Sequence, residues 1–210
     1  IDFDPRWAKK LMPGTLGSKR YLEHILEQAL DIIKTQKIDV LYTTPVVLKA
    51  LSVKMREEQR RSIKGVHYGG VSIEKEFLKK FKEELFPNSV HISGYGNTLF
   101  GLCLEIEESP TYDLDYYPLG PRMVVQVVSV ERGVKPTHKR LSEIVDYGDS
   151  GQVVFHRLDE SFFIPNMFER DKAVRIAPTS TVREYGVMQD GVKNPTLLES
   201  NGSMVKTGLY

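Results

Sequence analysis

The sequence predicts an α/β fold: a parallel sheet with covering helices, followed by an antiparallel, barrel-like β subdomain. Three observations carry this. Up to residue 92, short strand-like runs alternate with segments of helical period, the rhythm of a parallel sheet. Each run closes on turn-forming residues, at Thr43-Thr44-Pro45, Gly69-Gly70 and Gly94-Tyr95-Gly96. After residue 101 the helical period fades, and apolar runs are separated by turns rich in Pro, Gly and Asp. The expected division is an α/β subdomain over 1–107 and a β-rich subdomain with a C-terminal tail over 108–210.

In chain order, Tyr21, Leu22, Ile25, Leu26, Ala29, Ile32 and Ile33 recur at three- and four-residue steps and predict a helix over 20–37. Residues 38–42 read as a strand. Pro45 suits the first turn of a brief helix over 46–51. Residues 55–62 are polar helix or loop, and 63–68 a second strand. A helix then starts near Ser72, with Phe77, Leu78, Phe81 and Leu85 inward, and Pro87-Asn88 breaks it. Residues 89–92 form the third strand. Further strands are expected at 102–107, 123–130, 151–157 and 173–176, with a short helix over 139–145 and a loop-like tail from Asp190 onward.

The chain has 210 residues, with 29 basic and 28 acidic side chains and a net charge of +1, so no basic excess argues for nucleic acid. Forty per cent of the residues are hydrophobic, enough for a packed core. One cysteine, Cys103, excludes an internal disulfide framework; it lies in an apolar run and reads as a buried, inert thiol. No apolar run is long enough to span a membrane and none reads as a signal peptide, so a cytoplasmic location is the expectation. The start IDFDPRW, without methionine, reads as part of a longer chain.

The stretch HISGYGNTLFG, residues 91–101, carries more than a turn requires. Its glycines allow close backbone approach, Tyr95 offers an aromatic face, and Asn97 and Thr98 offer hydrogen-bonding groups. In parallel sheets ligands bind beyond the carboxyl ends of the strands, so the three strand ends are candidates for one shared site.

The order Tyr68-Gly69-Gly70-Val71-Ser72-Ile73, Gly94-Tyr95-Gly96-Asn97-Thr98, Gly148-Asp149-Ser150-Gly151-Gln152-Val153-Val154-Phe155 and Pro165 to Asp171 resembles the adenylate-forming superfamily of acyl-CoA synthetases and adenylation domains. Within it, the phenylacetate-CoA ligase branch and the phenazine-biosynthesis adenylating proteins look most similar. The resemblance runs over residues 20–176 and implies a fragment of a larger adenylate-forming domain. It implies that Gly69, Gly70 and Val71 line an adenine pocket, and that Tyr95, Gly96 and Asn97 continue it with the Tyr95 ring flanking the base. Thr98 would bond the α-phosphate as the catalytic residue, and Asp171 would accept from both ribose hydroxyls. Tyr68, Ile92, Gly94 and Phe100 would line an acyl pocket, with core packing as the competing role. The implied reaction joins a carboxylic acid, aromatic by the branch, to ATP as an acyl-adenylate, with thioester formation as a possible second step. The implied partners are ATP or AMP, the acid, and CoA or another acyl acceptor, with no nucleic acid and no membrane; a homodimer is a further candidate.

Departures from the pattern matter as much. The family's metal-binding glutamate after Thr98 is Leu99 here, and a hydrocarbon cannot hold Mg2+, which takes oxygen ligands. No residue is therefore assigned to metal, and the alternative is a non-catalytic adenylate- or acyl-binding protein. The Ser/Thr/Gly-rich phosphate loop has no counterpart; Met12 to Lys19 imitates it but reads as a linker. Lys193 and Lys206 lie in the tail without the domain that would surround a catalytic lysine. A dinucleotide enzyme is disfavoured because no Gly-x-Gly-x-x-Gly follows the first strand.

Overall fold

The computed structural model describes residues 14–70, 72–130 and 138–198. Val71, Lys206 and the opening IDFDPRW lie outside the described residues. The chain forms two compact units, one holding residues up to His91 and the other those from Ile92 onward.

In the first unit, helix α1 (Leu16–Thr35) starts four residues before its periodicity does. Thr15 caps it by accepting the Ser18 amide at 3.2 Å, so Leu16 to Lys19 are the first helical turn and not a linker. Strand β1 (Val40–Thr43) pairs in parallel with β2 (Gly65–Gly69), from Val40 opposite Gly65 to Thr43 opposite Tyr68. Between them, α2 (Pro45–Lys54) has Pro45 in its first turn and Thr44 as its cap, and it buries Leu48 and Leu51. Helix α3 (Glu57–Ser62) follows, and Arg60 on it donates to the Met55 carbonyl at 2.6 Å, closing the end of α2. Helix α4 (Lys75–Lys80) widens into a π turn over Phe81–Leu85. Its expected inner residues Leu78 and Phe81 are buried, as are Tyr68, Phe86, Ile63 and Val66, and the Phe81 ring lies near those of Tyr68 and Phe86. The third strand, β3 (Val90–Asn97), begins beside β2, where the Val90 amide donates to the Lys64 carbonyl at 2.8 Å.

The second unit is antiparallel. It contains β4 (Gly101–Glu105), β5 (Asp115–Pro118), β6 (Met123–Val128), β7 (Ser150–Leu158), β8 (Phe163–Ile176) and β9 (Gly191–Leu197). From β3 the order runs β4, β5, β9, β8, β7, β6, every pair antiparallel. Side chains of β3 meet those of β7 and β8, which are not its hydrogen-bonded neighbours, so the sheet curls on itself. Val125, Val127, Val153, Phe155, Phe100, Tyr116 and Tyr117 are buried. A short helix, α5 (Ser180–Glu184), seats Val182 against Tyr117 and Val187.

Four expectations are corrected here. The third strand does not stop at Ile92 but continues through Asn97, because residues 94–97 pair with 101–104 of β4. Strand β8 begins at Phe163, ten residues before the expected start. The expected helix over 139–145 is a single 3-10 turn, His138–Ser142. The tail is not loop-like: β9 inserts between β5 and β8, and Lys193 meets Asp115 at 3.5 Å. Within β9, Asn194 takes a left-handed φ of 49° and is pinned there. Its side-chain oxygen accepts the Leu114 amide at 2.9 Å, and its NH2 donates to Asp113 at 2.7 Å.

Candidate functional site

Residues two apart on a strand share a face. On β3 this pairs Tyr95 with Asn97, and on β8 it pairs Glu169 with Asp171. The curled sheet sets the two pairs against each other. The Tyr95 hydroxyl donates to Asp171 Oδ2 at 2.9 Å, across 76 positions of sequence. The Asn97 side-chain NH2 donates to Glu169 Oε1 at 3.0 Å, across 72. These are two rungs of one side-chain ladder.

Each rung has a support. Asn97 Oδ1 accepts the Leu99 amide at 2.8 Å and the Phe100 amide at 3.3 Å, the geometry of an Asx turn. That commits the oxygen to backbone and turns the NH2 towards Glu169. Gln152 Nε2 donates to the Glu169 carbonyl at 2.7 Å, fixing the strand beneath the carboxylate. The Tyr95 ring packs against Tyr116 and Phe155, with centroids at 5.7 and 5.8 Å. Tyr116 is itself tied to Ser93 through a 2.6 Å hydroxyl pair. Phe155 is stacked on Phe100 with rings 12° from parallel.

The electrostatics follow from burial. Burial, then the Asp171 charge, drives the Tyr95 phenol far above its ordinary range. The phenol therefore stays protonated, and it donates to Asp171. Burial also raises the Glu169 carboxyl, with the neighbouring Asp171 charge as the second cause and the Asn97 bond opposing both. Cys103, opposite Tyr95 in the β3–β4 pair, is fully buried and its thiol is pushed up by burial, as an inert core thiol should be.

The remaining expected residues fall in different settings. In the first unit, Tyr68 is fully buried beside Phe81 and His91, a core position. Gly69 ends β2, and Gly70 follows it with a φ of 80° that favours glycine. In the second unit, Ile92 is 39% exposed and Gly94 is buried. Phe100 is 2% exposed and packs on Phe155. Thr98 is exposed in the β3–β4 turn beside Leu99, which is 48% exposed. Gly96 has a reason of its own: a Cβ there would overlap the Gly101 carbonyl oxygen across the hairpin. The hairpin alone is enough to demand that glycine.

Glu169, to which the sequence assigned no role, forms the second rung. The signal that could have found it is the two-residue spacing of Glu169 and Asp171, once 163–172 is read as strand. Among the described residues no group of three or more His, Cys, Asp or Glu could hold a metal ion, and none of their helices is long and apolar enough to cross a membrane. Leu99 itself offers no oxygen to a hard cation.

No family model matches the chain, and no curated protein matches it. Solved structures do. The 2-hydroxyisobutyryl-CoA ligase in its postadenylation state, in complex with R3-HIB-AMP, superposes with a TM-score of 0.57 at 14% identity, over 90% of this chain and 36% of that one. CmiS6 gives 0.53 at 10% identity, over 80% of this chain and 42% of that one. The luciferase-like enzyme from the nonluminescent Zophobas morio mealworm gives 0.50 at 17% identity, over 78% and 40%. What they share with this chain is the fold. The chain spans 36% to 42% of their lengths.

Proposed function

We propose that this chain is the nucleotide-binding part of a longer adenylate-forming ligase. In the reaction a carboxylate oxygen attacks the α-phosphorus of ATP. The bond from that phosphorus to the bridging oxygen breaks, and acyl-adenylate and pyrophosphate result. The observation that carries the reading is the Tyr95–Asp171 bond of 2.9 Å. The motif resemblance assigns both residues to one bound nucleotide, although they are 76 positions apart in sequence. The fold shared with 2-hydroxyisobutyryl-CoA ligase supports the same reading.

In this reading Asp171 accepts from the ribose, a task for an acceptor-only carboxylate. Thr98, exposed on the β3–β4 turn, donates to an α-phosphate oxygen. Such catalysis is positioning and charge stabilisation at phosphorus. The finer assignments follow the resemblance: an aromatic acid, the phenylacetate-CoA ligase branch with its phenazine relatives, CoA or another acyl acceptor, and a cytoplasmic setting. The adenine-flanking role of the Tyr95 ring has to coexist with its packing on Tyr116 and Phe155.

Leu99 favours a second reading, a protein that binds an adenylate without turnover. ATP–pyrophosphate exchange in the longer protein tests the two. The ligase reading expects exchange that depends on an added aromatic acid, with none from the 210-residue chain alone. The binding reading expects no exchange with any acid until Leu99→Glu restores a carboxylate. Acid-independent exchange, or robust exchange from this chain alone, would contradict both.

A further inference from the structure

The Tyr95 hydroxyl is the part of the expected motif that the adenine-flanking role leaves unused. Its setting is specific. The ring packs against both Tyr116 and Phe155, and Tyr116 is anchored in turn by Ser93. The oxygen therefore has little freedom, and it lies 2.9 Å from Asp171 Oδ2. A rigid donor on one carboxylate oxygen fixes the torsion of the whole group, and so the direction in which its other lone pairs point. Asp171 lies on a long strand that also pairs with β7 through register shifts, so backbone alone is a loose guide for its side chain.

We propose that Tyr95 is a positioning residue: its hydroxyl orients the Asp171 carboxylate so that the protein selects nucleotides carrying ribose hydroxyls. This rests on the nucleotide reading above and deepens it. The role belongs to the hydroxyl and not to the ring face. Removing the hydroxyl alone should spare the fold, because Tyr95→Phe keeps the contacts with Tyr116 and Phe155, and the Asn97–Glu169 rung still links β3 to β8.

The test is calorimetric titration of the longer protein that contains this chain with AMP and with 2′,3′-dideoxy-AMP, which lacks both ribose hydroxyls. A charge-assisted hydrogen bond predicts that the wild type binds AMP about tenfold more tightly than the dideoxy analogue. Tyr95→Phe should reduce that preference to about twofold by weakening AMP, while affinity for the dideoxy analogue changes by less than about twofold. Asp171→Ala should do the same, and Tyr95→Phe should add nothing in the Asp171→Ala background. A merely structural role for Tyr95 would weaken both ligands together and leave the preference intact, and that result overturns the proposal. So does a preference that grows in Tyr95→Phe, which would mean that the phenol competes with the sugar. If Asp171→Ala binds AMP as the wild type does, or the wild type binds neither ligand, the nucleotide reading itself falls. If Asp171→Ala loses the preference and Tyr95→Phe keeps it, only the role of Tyr95 falls.

Discussion

In the first unit, apart from the β1–β2 pairing and the start of β3, many contacts are between near neighbours: Thr15 caps α1, Thr44 caps α2, Arg56 meets Gln59, and α4 packs Phe77 against Phe81. In the second, partners come from far along the chain: Asp115 pairs with Lys193, Leu114 with Asn194, Tyr95 with Asp171 and Asn97 with Glu169. The first unit depends on many small, separable terms. The second depends on closure, in which one hairpin or bulge sets the register of strands that carry the candidate site. Substitutions chosen by local reasoning should therefore be mild in one unit and severe in the other.

The largest contrast is expected at Gly96. A side chain there must displace the Gly101 carbonyl, so the β3–β4 hairpin cannot keep its register. Gly96→Val should cost more than about 4 kcal/mol. Hydrogen exchange should show the loss of protection concentrated from residue 92 onward, with the β1–β2 amides less affected. Equal loss in both units would erase the contrast.

The matching lesion in the first unit is Thr44→Ala, which removes the oxygen that accepts the Val47 amide at 3.4 Å. The cost should be about 1 kcal/mol, the usual size for a cap. Urea denaturation would measure it, and a loss several times larger would mean that the first unit is as interdependent as the second.

The smallest effect concerns pH. His156 on β7 has its Nε2 3.0 Å from Gln126 Oε1, and its Nδ1 accepts the Asn166 amide at 3.0 Å, at a bulge where Asn166 has a φ of 61°. That pattern requires a neutral ring with its proton on Nε2. Burial lowers the folded-state pKa below the ordinary 6.5. The folded protein thus binds fewer protons than the unfolded chain. Its stability contribution is fully present above 6.5 and is lost as pH falls through the lowered folded value. The ring is partly exposed, so the loss should stay under about 1 kcal/mol. His156→Gln should flatten the melting temperature between pH 7 and about 5 relative to the wild type, and an unchanged slope would remove His156 as its source.

The sequence by itself determined the α/β opening. Helical period, caps and strand-ending turns are short-range signals, and α1, β1, α2, β2 and α4 formed where those signals lay, within a few residues. It also placed Tyr95 and Asp171 in one motif set through resemblance, although no pattern along the chain brings them near each other. Tertiary structure decided the rest. Strand β9 has little alternation and contains Asn194-Pro195, so only pairing with β5 and β8 on both sides makes it a strand. Residues 163–172 of β8, and hence the face shared by Glu169 and Asp171, are defined by β7 in the same way. The glycines of residues 94–101 looked like a ligand loop, yet Gly96 is required by a hairpin. The physical reason is common to all three. Strand pairing satisfies backbone groups through partners far away in sequence, so a segment with weak local preference takes the conformation its neighbours need.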